Sequence, residues 1–174
     1  MGGHGVHLIG AACGSRSVAS EAFGLVRRAD RQPRGGHVAA ALLEKGSSGG
    51  LAVTLEYNPA DSPLWRRCLL GAALAVLVAP VGIQRLAETV GSRAEWAGVV
   101  AVVGDLWYDV PKQTLRVMGD LLEATQASLL VVAVDRRDPI ELLSATAATV
   151  VVESVDVDVE ADFVDATRRA SEAL

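Results

Sequence analysis

One long apolar run decides whether this chain could cross a membrane as a helix. The sixteen residues from Cys68 to Ile83 carry no charge, and arginines stand on both sides of them. As a helix this run would measure about 24 Å, whereas the hydrocarbon core of a bilayer is roughly 30 Å thick. Pro80 and Gly82 shorten its regular part further. The length therefore argues against a transmembrane span.

A second apolar stretch follows, and the two predict an inserted helical hairpin over residues 63–110. Small residues recur every four positions on both helices, which would let another backbone approach closely. They are Gly71, Ala75 and Ala79 on the first helix and Ala97 and Ala101 on the second. Trp65, Trp107 and Tyr108 flank the apolar runs as aromatics at a membrane interface do. The hairpin therefore has three interpretations: packing within the chain, between subunits, or into one leaflet.

Strand and helix patterns on either side of the hairpin predict the fold. Residues 6–13, 37–45, 50–58 and 128–135 read as strands, and a further strand begins near Thr149. Helical spacing follows the first strand, and Pro139 opens a short helix after the fourth. Two strand-helix-strand units predict an α+β, ferredoxin-like βαβ + βαβ antiparallel sheet with two helices on one face.

The remaining segments complete a single predicted domain over residues 1–174. Pro111 opens a connecting amphipathic helix over 111–125, with Leu115, Met118, Leu121 and Leu122 on one side. A C-terminal helix is predicted from Val159, with acidic residues early and arginines late, as the helix dipole favours.

Charge and cysteine content restrict the compartment and the partners. The net charge is −5 and the isoelectric point about 5.2, so no nucleic-acid partner is expected. The N-terminus lacks the pattern of a secretory signal, which predicts a cytoplasmic protein, with peripheral membrane association left open. Cys13 and Cys68 are predicted to be reduced, buried thiols.

Three short segments are candidates for chemistry, and each also has a structural interpretation. Residues 13–17 could hold an anion at a helix start, or a serine there could simply cap the helix. Residues 105–112, with Trp107, Tyr108 and Lys112, could form a pocket lip or docking edge, or a helix stop at Pro111. The strand glutamates Glu44, Glu56 and Glu153 are predicted to be solvated edge positions.

A metal site is predicted only at the N-terminus, and no cofactor is expected. If Met1 is removed, the amino group, two amide nitrogens and the His4 imidazole form a square-planar set that suits Cu(II) or Ni(II). The other histidines and the two cysteines do not have the spacing of a zinc site.

Residues 104–135 contain a recognisable set of positions: Gly104, Leu106, Trp107, Val110, Pro111 and Lys112, followed by the segment Asp120 to Glu123 and an apolar strand. With these residues the segment resembles an uncharacterised bacterial domain-of-unknown-function family that is common in actinobacteria. Tyr108 stands where relatives often have histidine, so a metal role for that histidine would not transfer. The resemblance implies a fold and a small, cytoplasmic or membrane-associated protein, without an established activity.

These observations favour a non-enzymatic, oligomeric or partner-binding α+β module that uses the 63–110 hairpin as its interaction surface. A homo-oligomer is the expected assembly. Two alternatives remain: a peripheral membrane protein that inserts the hairpin into one leaflet, and a small-molecule sensor with a pocket near Trp107, Tyr108 and Lys112.

Overall fold

The computed structural model describes residues 4–32, 35–47, 51–57 and 112–157. In chain order these residues form β1 (His4–Cys13), α1 (Arg16–Asp30), β2 (His37–Lys45), β3 (Leu51–Tyr57), α2 (Lys112–Ala124), β4 (Ala127–Val134), α3 (Asp138–Thr146) and β5 (Thr149–Val157). The predicted hairpin of residues 63–110 and the C-terminal helix lie outside the described residues.

The five strands form one antiparallel sheet in the order β3-β2-β4-β1-β5. The predicted α+β class and antiparallel sheet are therefore confirmed. Five strands are predicted from the sequence, and the last of the first half, β3, lies at one edge of the sheet beside β2. β4 lies between β1 and β2, and β1 lies between β4 and β5, so strands from the two halves of the chain alternate.

β2 and β3 pair as the predicted hairpin, with one irregularity. Leu42 faces Leu55 and Leu43 faces Val53, which leaves Thr54 as an extra residue in a bulge. The Thr54 hydroxyl donates a hydrogen bond to the carbonyl of Leu42 at 3.4 Å. A bulge twists an edge strand and makes it a poor template for further pairing.

One face of the sheet is covered by α1 and α3. Alternate residues of the strands pack there against buried side chains of α1 and against Leu143 of α3. The α1 residues buried in this way are Ala19, Ala22, Phe23, Val26 and Ala29, which recur at helical spacing. α1 begins where Ser15 accepts a hydrogen bond from the Val18 amide, so the serine cap is confirmed.

α2 lies on the opposite face, in the stretch where the connecting amphipathic helix is predicted. Met118 and Leu122 are fully buried, and a Cβ at Gly10 would lie 2.6 Å from the Met118 Cγ. Glycine at this point of β1 lets α2 approach this strand closely. All eight residues of β4 are buried, as expected for a strand with both faces covered.

Candidate functional site

A buried polar cluster lies at the end of the sheet where α1 stops and α3 begins. Its centre is Arg136, whose side chain is only 2% exposed. The guanidinium donates hydrogen bonds from Nε and Nη2 to the Asp138 carboxylate, and Nη2 also donates to the carbonyl of Ala29 at 3.0 Å. Its Nη1 lies 3.5 Å from Oδ1 of Asp30. One guanidinium thus joins the strand end at β4 to both helices that follow β1 and β4.

Asp30 extends the cluster to the hairpin. Its Oδ1 accepts a hydrogen bond from the Val38 amide at 3.0 Å, and its Oδ2 accepts one from the Tyr57 hydroxyl at 2.9 Å. Burial raises the pKa of Tyr57 above its usual value near 10, and the hydrogen bond to Asp30 and the charge of Asp30 raise it further. The Asp138 hydrogen bonds likewise raise the pKa of Arg136, so the guanidinium stays charged. The cluster therefore holds a cation, two carboxylates and a neutral phenol.

We expect Tyr57 to ionise in the folded protein at a higher pH than a free tyrosine. Because its folded-state pKa is raised, its contribution to stability is complete below pH about 10 and is lost as the pH rises through the folded-state pKa. In a Tyr108→Phe background, Tyr57 is the only tyrosine, and its phenolate absorbance can be followed directly. Asp30→Asn should lower the pKa of Tyr57 toward its usual value near 10. Glu21→Gln, on the exposed side of α1, should leave this pKa unchanged. Equal titration curves for the two variants would contradict the conclusion that Asp30 raises the pKa of Tyr57.

A tight backbone corner borders this cluster. Gly36 has a φ of +84°, and Asp135 has a φ of +55°. The Asp135 carboxylate accepts a hydrogen bond from the Gly5 amide at 3.0 Å, and its own amide donates to the carbonyl of Gly5 at 2.8 Å. These bonds hold the start of β1 against the end of β4, with Gly36 beside them.

At the opposite end of the sheet, the β1–α1 turn is occupied by an ion pair. Arg16 Nε lies 2.7 Å from Oε1 of Glu44, without an aligned hydrogen bond. The Glu44 side chain is only 16% exposed, and β2 is an interior strand of the sheet. The prediction that Glu44 is a solvated edge residue is therefore wrong, while Glu56 and Glu153 do lie on edge strands. Arg16, in the 13–17 segment that was a candidate for anion binding, is instead paired with Glu44.

Cys13 ends β1 beside this turn and is a free, fully buried thiol. It belongs to the core cluster between the sheet and the two helices. Burial raises the pKa of the thiol, which keeps it protonated near neutral pH. The prediction of a reduced, buried thiol is thus confirmed for Cys13, and Cys68 lies outside the described residues.

The thiol of Cys13 should react with a disulfide reagent far more slowly in the folded protein than after unfolding. In a Cys68→Ser background, we expect the rate at mildly alkaline pH to be at least roughly 100-fold lower than in denaturant, because reaction requires opening of the core. The matched control places an exposed thiol nearby through Ser17→Cys, with both native cysteines changed to serine. If the Cys13 and Ser17→Cys thiols react equally fast when folded, Cys13 is not closed off as described.

The His7 side chain contacts a neighbouring strand of the sheet. Its side chain is largely buried, and Nδ1 lies 2.7 Å from the Ser154 hydroxyl across the β1–β5 pair. Within the described ranges no three metal-binding side chains lie together. His4 begins β1 opposite Val157, and its side chain is outside the described part.

Most of the predicted interaction residues lie outside the described residues. They are Trp65, Gly71, Ala75, Ala79, Ala97, Ala101, Trp107 and Tyr108. Lys112 begins α2, without a described side chain. Conversely, the sequence reasoning missed the cluster of Asp30, Tyr57, Arg136 and Asp138. The only local signal was a pair of arginines two residues after the end of an apolar strand, which resembles an ordinary polar turn.

No family model, curated protein or solved structure matches the chain. The family resemblance over residues 104–135 accordingly stays a prediction.

Among the helices that the structure describes, none has the length and apolar character needed to span a bilayer.

Proposed function

We propose that the protein is a non-enzymatic α+β module of ferredoxin-like architecture that assembles with copies of itself through the 63–110 hairpin. The strand order supports the architecture. β1-α1-β2 and β4-α3-β5 are both strand-helix-strand units, and each leaves space in the sheet for one strand of the other. This interleaving supports the proposed ferredoxin-like architecture, in which β3 would be an added strand at one edge.

The observation that carries the functional proposal is that the buried polar groups of the described residues contact other groups of the same chain. Arg136 is bound by Asp30 and Asp138, and the Cys13 thiol is closed inside the core. The ion pairs of Arg136 join strand and helices of the same chain, and the thiol packs in the core, so both serve the stability of the fold. A rigid sheet is a suitable base for a surface carried on a connection between its two halves.

The connection in question joins β3 to α2 and comprises residues 58–111. It contains the small residues at four-residue spacing, Gly71, Ala75 and Ala79 in its first apolar run. Such a spacing lets two helices approach closely, and larger side chains at those positions prevent the approach. The proposal therefore predicts a self-association that depends on the small size of these residues.

Light scattering coupled to size-exclusion chromatography tests the proposal. We expect the 18.1 kDa chain to elute as an oligomer, and the double variant Gly71→Leu with Ala75→Leu to be shifted toward the monomer. Ser20→Leu adds the same side chain to the exposed surface of α1 and should leave the oligomer unchanged. A wild-type monomer, or an oligomer indifferent to the double variant, contradicts the proposal.

Two further measurements separate the alternatives from self-association. A monomer that floats with anionic lipid vesicles, and no longer does so after deletion of residues 64–107, would favour a peripheral membrane protein. A monomer whose melting temperature rises with one member of a metabolite panel, and no longer does so in Trp107→Ala, would favour a small-molecule sensor.

A further inference from the structure

We draw no further inference here: the strongest candidate, the cavity of about 590 Å³ beside the polar cluster where Gly35 and Gly36 meet the start of α3, carries nothing, because Asp135, Asp138 and Glu141 in its lining disfavour an anion and the Arg136 nitrogen that lacks a hydrogen bond is closed to solvent and already faces Asp30.

Discussion

Replacing Arg136 with methionine is expected to lower the free energy of unfolding by about 3–5 kcal/mol, the cost typical of removing one partner from a buried ion pair. Methionine keeps most of the apolar contact of the arginine stem. The loss would therefore arise mainly from Asp30 and Asp138, which are left without their shared cation, and from the Ala29 carbonyl, which loses a donor. A small domain has only about 5–15 kcal/mol in total, so denaturant titration of this variant should show a large shift in midpoint.

Arg137 provides the matched control for this experiment. It is the next residue along the chain, it is exposed, and its side chain does not cap α3. Arg137→Met should therefore change the stability by no more than about 0.5 kcal/mol. Adding Asp30→Asn and Asp138→Asn to Arg136→Met should restore part of the loss, because the uncompensated charges are then removed. Equal effects of Arg136→Met and Arg137→Met would show that the buried cluster does not stabilise the fold.

Gly36→Ala is expected to destabilise the protein by about 2–5 kcal/mol, from left-handed backbone strain together with overpacking. The φ of +84° is one that residues with a Cβ rarely adopt. A Cβ at this position would also lie 2.2 Å from the carbonyl oxygen of Val134. That oxygen belongs to the backbone of a buried strand, so it cannot move aside as the end of a flexible side chain can.

Gly35→Ala is the control, one residue earlier in the same turn. A Cβ there meets nothing within 4 Å, and no left-handed φ is required. We expect this variant to be neutral or slightly stabilising, because alanine restricts the unfolded chain more than glycine does. Thermal or denaturant unfolding of both variants distinguishes the two glycines. Similar stabilities would mean that Gly36 does not approach Val134 as closely as described.

The elements of the sheet were predictable because their signals are local. Apolar residues at helical spacing predicted the buried side of α1, and a serine at its start predicted the cap. Pro139 marked the first turn of α3. Each of these signals depends on residues a few positions apart, so one sequence is sufficient to read them.

For Glu44, the local sequence pattern led to a wrong prediction. A polar residue near the end of a strand is normally solvated, and residues 37–45 do not show which other strands pair with β2. β2 became an interior strand because β3 added to one side of it and β4 to the other. The side chain is then largely buried beside Arg16, which could not be inferred from residues 37–45 alone.

By itself, the sequence determined the order of the described strands and helices and the cap of α1, because periodicity and capping act over a few residues. Only the tertiary structure brought Asp30 to Arg136 and Tyr57 to Asp30, since these residues lie far apart in the chain and come together only when the sheet forms. The tertiary structure also decided that glycine is required at position 36 and not at position 35. The adjacent residues look identical in sequence, and they differ because only one of them lies against the backbone of β4.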